Sequence, residues 1–248
     1  FEELSVWDLA TRKRLPLPSL PKGIVFPQQF SGDGSRLAYT LNTPVHDDEV
    51  WVVDLARGRS SRATFSPDGG IAGSPCSPAE IIRYPSFDGR MIPALLYVPR
   101  GSSAQRRAPV VVSVHGGPEL QEQPYMTNYY QFLIARGFAV LAPNVRGSTG
   151  YGKAYVQADN GPLRWDAMKD VAAAVEWIKR QERLDGAKVA CMGASYGGFI
   201  TLAMLAHYPD LFAAGVDFYG PSDLRTFLAR TAEHRRPARI AEYGDPVR

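Results

Sequence analysis

A serine with glycines two residues to either side is where the chemistry of this chain begins. Gly193-Ala194-Ser195-Tyr196-Gly197-Gly198 fits the pattern G-x-S-x-G. The apolar run Val189 to Met192 precedes it, and a helix-forming run from Phe199 to His207 follows. That context is a strand-to-helix turn, which holds a serine in a strained backbone conformation with its hydroxyl exposed. Gly193, Gly197 and Gly198 suit such an elbow, because a Cβ there would keep strand and helix apart.

A serine hydroxyl is a poor nucleophile at neutral pH. It needs a histidine base, a carboxylate that orients the base, and donors for the oxyanion. His115-Gly116-Gly117-Pro118 directly follows the apolar run Pro109 to Val114. A glycine loop in that place can turn a backbone N–H into the site, here that of Gly117. The second donor is the backbone N–H of Tyr196, the residue after the nucleophile. His115 itself reads as a structural loop residue, since the base follows the serine in the chain order of this motif.

The elements that must position these residues alternate between strand and helix from residue 80 onward. Ile81–Phe87 and Met91–Val98 are strands around Asp88-Gly89, a hairpin signal. Pro109–Val114 and Phe138–Ala142 are apolar enough to be buried on both faces. Thr127–Arg136 is a helix ended by Gly137. Asp166 caps a second helix reaching about Glu182, with Met168, Val171, Val175 and Ile178 on one face. Gly215–Tyr219 is a further strand. Such alternation implies an α/β domain with a largely parallel sheet. Residues 1 to about 78 read instead as short strands with turns: Ser5–Leu9, Ile24–Phe30, Arg36–Leu41 and Val50–Leu55. Val6-Trp7-Asp8-Leu9-Ala10 is echoed at Val52-Val53-Asp54-Leu55-Ala56, an offset of 46 residues, close to the ~40–50 residues of a propeller blade. Residues 71–80, rich in Gly, Ser, Pro and Ala, read as a linker.

Composition excludes several classes. Of 248 residues 45% are apolar and 21% charged, as in an ordinary soluble protein, and a net charge of +3 makes no case for nucleic acid. No apolar run is long enough to span a membrane. Two cysteines, Cys76 and Cys191, make no disulfide framework, and Cys191 reads as a small buried hydrophobe. The chemistry calls for no cofactor and no metal. The N-terminus shows no signal-peptide pattern, which favours a cytoplasmic chain. It begins at Phe1 rather than Met, so a removed leader keeps a secreted one open.

Three ordered motifs, His115–Pro118, Asn144-Val145-Arg146-Gly147-Ser148-Thr149-Gly150-Tyr151-Gly152 and Gly193–Gly198, resemble the prolyl oligopeptidase family of serine peptidases. Within it they look most like the acylaminoacyl-peptidase and dipeptidyl-peptidase-like branch. Tyr84–Arg90 and Glu242-Tyr243-Gly244-Asp245-Pro246 are similar to further segments of that family. The resemblance implies an α/β-hydrolase fold over residues 79–248, an N-terminal portion of the peptidase domain, preceded over residues 1–78 by the end of a β-propeller. It implies hydrolysis of peptide or N-acyl-peptide bonds through an acyl-enzyme on Ser195, with a peptide as the partner. A carboxylesterase on the same fold and a non-catalytic binding module are the alternatives. Arg146 and Tyr151 fall in a loop that the resemblance assigns to the pocket wall; a structural, salt-bridging role is the other reading of Arg146.

In that family the triad acid and histidine come later than the elbow. Here 53 residues follow Ser195, and the expectation is a fragment that lacks both and is inactive alone. The histidines present are His46, His115, His207 and His234. His207 ends the elbow helix, where the helix dipole suits it. His234 lies among Arg230, Arg235, Arg236 and Arg239, a stretch that reads as a solvated face. A triad of Ser195, Asp217 or Asp223, and His234 is the remaining option, but His234 lacks a strand-end loop.

Overall fold

The computed structural model describes residues 2–43, 46–66 and 77–245. Residues 71–76 of the expected linker, Cys76 among them, lie outside the described residues, as does Pro246. The chain divides into two units: Phe1–Ala79 with Gln123–Phe132, and Glu80–Glu122 with Leu133–Arg248.

The first unit is antiparallel. A hairpin pairs β1 (Val6–Asp8) with β2 (Lys13–Leu15). β2 falls outside the strands expected from the sequence. Asp8 Oδ1 accepts from the N–H groups of Ala10 and Thr11 (2.8 and 3.0 Å), which closes the turn early and frees residues 13–15 to pair. β3 (Ile24–Phe30), β4 (Arg36–Thr43), β5 (His46–Asp54) and β6 (Arg59–Arg62) form a four-stranded sheet in sequence order. Leu37, Tyr39 and Leu41 alternate along β4, as a half-buried strand requires, and cluster with Val6 and Val53. Residues 123–132, which hold the start of α1 (Asn128–Ala135), also belong here, inside the span the sequence reading gave to the peptidase domain. The Met126 N–H donates to Asn42 Oδ1 (2.6 Å), and the Ser77 N–H to Gln131 Oε1 (3.1 Å).

The second unit is a six-stranded mixed sheet. β7 (Glu80–Pro85) and β8 (Met91–Tyr97) form the expected hairpin, with Gly89 at φ 80° in the turn. β9 (Ala108–Val114), β10 (Ala139–Pro143), β11 (Leu184–Ala194) and β12 (Ala214–Phe218) complete the order β7-β8-β10-β9-β11-β12. The last four pair in parallel, and β8 runs antiparallel to its neighbours. Val110, Val111, Val112 and Val114 are all buried, so β9 is covered on both faces. β12 is the edge strand and its five residues are all exposed.

Five helices complete the unit: α2 (Lys153–Val156), α3 (Arg164–Ile178), α4 (Tyr196–His207), α5 (Leu224–Arg230) and α6 (Arg236–Tyr243). On α3 the predicted face of Met168, Val171, Val175 and Ile178 is buried against the sheet, each side chain worth about 1.5–3 kcal/mol of burial. Asp166 is not its cap. The helix starts two residues earlier, after a 3₁₀ turn over Gly161–Leu163, and Asp166 sits in the first turn, where a carboxylate suits the dipole. Helices α2, α5 and α6 were not anticipated. β11 is also longer than its apolar core, carrying a bulge between Asp185 and Val189.

Candidate active site

β9 is the strand at which the order of the sheet reverses. It feeds a connection to β10 on one side and pairs with β11 on the other. Ligand crevices form outside the carboxyl ends of strands at such a switch point. The loop His115–Pro118 leaves β9 there, and the elbow leaves β11 at the same end, with Gly193 in register with Val114. Two motifs nearly 80 residues apart are thereby brought side by side.

Ser195 has φ 55° and ψ −117°, a sparsely populated conformation for a residue with a Cβ. Such strain costs on the order of 1–3 kcal/mol and persists only where the surroundings enforce it. They do so here. The Ser195 N–H donates to the Phe218 carbonyl on β12 (3.0 Å), and its own carbonyl accepts from the Phe199 N–H (3.0 Å). A Cβ on Gly193 would lie 2.4 Å from the Gly197 carbonyl, and one on Gly197 would lie 2.0 Å from the Val114 carbonyl. A Cβ on Gly198 would lie 2.8 Å from Gly220 Cα. The three elbow glycines therefore set how closely strand, helix and glycine loop meet.

Tyr196 opens α4, where a first-turn N–H has no intrahelical acceptor. Its side chain is buried: the hydroxyl donates to Asp159 Oδ2 (3.1 Å), and the Arg164 guanidinium covers the ring at 5.0 Å. Burial raises the phenol pKa far above its usual range. Arg164 in turn bonds Asp159 Oδ2 and the Glu242 carbonyl, both at 2.6 Å. The glycine loop is held from the same side. Gly116 abuts the elbow, since a Cβ on it would be 3.7 Å from Ser195 Cβ. Gly117 has φ 127°, a conformation that favours glycine, and its carbonyl accepts from the Tyr243 hydroxyl of α6 (3.3 Å). Nothing local in the sequence marks Asp159 or Arg164, and Tyr243, which falls in a family-like segment, carried no role there.

His115 faces away from the chemistry. Nδ1 lies 2.6 Å from the Gly116 carbonyl, and Nε2 lies 2.9 Å from Ser148 Oγ. Burial lowers its pKa, only partly offset by the Gly116 carbonyl. The other candidates do not converge on the serine. Asp217 Oδ1 accepts from the Gly220 N–H, and Asp223 caps α5 through the Arg225 N–H, both at 2.8 Å. His207 packs edge-on against Trp165, and His234 is exposed in a 3₁₀ turn. Among the described residues no histidine bonds Ser195 Oγ.

Arg146 is buried. Its Nε and Nη2 reach the Asp170 carboxylate at 2.8 Å, and both Nη atoms reach Asp88 at 3.2 Å, with the Phe87 ring 4.7 Å away. The salt-bridging reading describes this geometry better than the pocket-wall reading. Tyr151 is partly exposed and its hydroxyl accepts from Asn144 Nδ2 (2.9 Å). Neither lines the cleft at the serine. That cleft, about 640 Å³, is walled by Ser195 and by residues of the Gly220–Arg239 stretch. Cys191 is buried as expected, and burial pushes its thiol up to about 11, opposed by the Thr201 hydroxyl.

Comparison with known proteins agrees with this geometry. Dipeptidyl aminopeptidase BIII of Pseudoxanthomonas mexicana is 35% identical over 210 residues, 77% of this chain and 30% of that protein. The acylamino-acid-releasing enzyme of Sus scrofa is 35% identical over 137 residues, 55% of this chain and 18% of that protein. The chain thus spans less than a third of the length of either. The crystal structure of puromycin hydrolase superposes with a TM-score of 0.82 at 25% identity, covering 97% of this chain and 37% of that one. The acylaminoacyl peptidase of Pyrococcus horikoshii shares the fold at 22% identity, with a TM-score of 0.78 over 92% of this chain and 36% of that one. The model of the prolyl oligopeptidase family matches residues 124–248, a span that takes in the elbow, the arginine loop and the walls of the cleft. With its strained serine between β11 and α4 and that match over half its length, the chain belongs to the prolyl oligopeptidase family.

Proposed function

We propose that the protein is a serine-type peptidase that hydrolyses peptide or N-acyl-peptide bonds through an acyl-enzyme on Ser195. The observation that carries the reading is the Ser195 backbone, held at φ 55° by glycine contacts that leave no room for a Cβ. Residues 79–248, apart from the segment 123–132 that belongs to the first unit, are the portion of the peptidase domain that supplies the nucleophile, and residues 1–78 the end of a β-propeller. In the reaction Ser195 Oγ gives its proton to a base of the full-length protein and attacks the scissile carbonyl. The negative charge that develops on the carbonyl oxygen is met by the N–H groups of Tyr196 and Gly117. Donors fixed in advance at such a position are typically worth about 2.7–4 kcal/mol each. The amine leaves with that proton, and water then releases the acyl group from Ser195. The names of the relatives support a peptide as substrate. On residues 1–248 alone this geometry supports no turnover, since among the described residues no histidine is placed to take the serine proton.

The test uses the full-length protein. A fluorophosphonate probe is expected to label it covalently, and Ser195→Ala to abolish labelling. A short aminoacyl- or N-acyl-peptide anilide is expected to be turned over faster than a simple aryl ester. Labelling that persists in Ser195→Ala, or a preference for the ester, refutes the reading.

A further inference from the structure

We infer that the cleft beside Ser195 binds a carboxylate of the peptide next to the scissile bond, an inference that rests on the peptidase reading above. The sequence treats the arginine-rich stretch as a solvated face. Arg230, Arg235 and Arg236 are exposed as that reading expects, and the fold places Arg230, Arg235 and Arg239 in the wall of the same cleft that Ser195 opens into. Arg236 holds that stretch folded back, its Nη2 reaching the carbonyls of Ala229 (3.3 Å) and Thr231 (3.2 Å).

The three arginines are not equivalent. Arg239 is spent on structure: it pairs with Glu242 at 2.7 Å and lies over the Tyr243 ring. Among the described residues no carboxylate pairs with Arg230 or Arg235, and both are exposed in the cleft. The one carboxylate in the wall, Asp223, is already occupied by the Arg225 N–H (2.8 Å) and lies 3.7 Å from Arg225 Nε. The cleft therefore presents two unpaired guanidinium groups beside the nucleophile. Guanidinium is planar and carries forked donors that match a carboxylate bidentately. The wall sets Arg230, Arg235 and Arg239 against the single carboxylate of Asp223, and such an excess of one sign concentrates the opposite sign and repels its own. Such a wall favours a peptide with a carboxylate near the scissile bond and disfavours one with a lysine or arginine there. The carboxylate can be an Asp or Glu side chain or the free C-terminus of a short peptide.

The experiment compares matched peptides on the full-length protein: Glu against Gln beside the scissile bond, and C-terminal acid against C-terminal amide. The two pairs separate the two sources of the carboxylate. At low salt the acidic member of one pair is expected to show about fivefold or greater kcat/KM over its neutral twin, with the gap narrowing at 300 mM salt. Arg230→Gln and Arg235→Gln are each expected to shrink that gap about two- to fivefold, through KM rather than kcat. Thermal unfolding checks that both variants fold. No preference in either pair overturns the inference, as does a preference that survives the double variant. Binding of the same peptides to Ser195→Ala separates this failure from failure of the peptidase reading. If the probe never labels Ser195 but the Glu peptide or the acid binds more tightly than its twin, and Arg230→Gln/Arg235→Gln removes the difference, the subsite stands and the peptidase does not. Equal binding of the twins overturns the subsite whatever the labelling shows.

Discussion

Replacing Gly197 with alanine tests whether the elbow is set by close packing. The methyl group would lie 2.0 Å from the Val114 carbonyl oxygen and 2.9 Å from that of His115. Cβ atoms do not approach within 3.0 Å, so α4 and the end of β9 must separate by about 1 Å. All the atoms met are backbone, so no side-chain rotation relieves the contact. Overpacking of this kind costs about 1–3 kcal/mol. The functional cost is larger, because the displaced parts are the elbow and the glycine loop, and a 1 Å error in a reacting geometry is worth about 10²-fold in rate. The assay is the rate constant for fluorophosphonate labelling of Ser195 in the full-length protein, beside its thermal midpoint. Gly186→Ala is the control. Its methyl would lie 2.7 Å from Lys179 Cα, a milder clash with backbone in which neither Gly186 nor Lys179 lines the cleft at the serine. Gly197→Ala is expected to slow labelling about 100-fold, while Gly186→Ala lowers stability and leaves labelling of the folded protein within about threefold of the parent. Parental labelling by Gly197→Ala would refute the packing argument.

Asp170→Ala, which removes the buried partner of Arg146, is expected to cost about 3–5 kcal/mol in urea unfolding, because it leaves a buried guanidinium hydrogen-bonded only to the partly exposed Asp88 at 3.2 Å. Pairing it with Arg146→Met should restore much of the loss, whereas Asp166→Ala, whose carboxylate lies 3.8 Å from Arg146 and is partly exposed, should cost under about 1 kcal/mol. A second prediction concerns Glu49. Burial pushes its carboxyl up, but hydrogen bonds from Thr64, Arg62 and the Ser66 N–H, with the Arg62 charge, bring it down to about 2. A folded-state pKa below the unfolded 4.5 gives stability that is present above pH 4.5 and is lost as pH falls toward 2. The thermal midpoints of the parent and Glu49→Gln should therefore differ near pH 6, draw together below pH 4.5 and converge only as pH falls through about 2; a gap independent of pH would contradict it.

Much of this protein was legible because its signals are local. The elbow, the glycine loop, the hairpin at Asp88-Gly89 and the apolar face of α3 each depend on residues within a few positions of one another, where backbone sterics and periodicity act. The failures have the same cause in reverse. The first strand pairing was cut short by the Asp8 turn, and α5 and α6, of seven and eight residues, are too short for a periodic pattern to announce them. Residues 123–132 joined the first unit through long-range hydrogen bonds of Met126, Asn128 and Gln131 that no local pattern foretells.

The sequence by itself determined that Ser195 sits at a strand-to-helix turn, since only glycine tolerates the contacts at 193, 197 and 198. Tertiary structure alone decided what surrounds it. The Asp159–Arg164 pair that braces Tyr196 and the Tyr243 hydroxyl on the Gly117 carbonyl join residues up to 126 positions apart. The same folding placed an exposed charge run in the wall of the serine's cleft. Contacts of that range come from how the sheet order brings strand ends together, and a linear pattern holds no record of it.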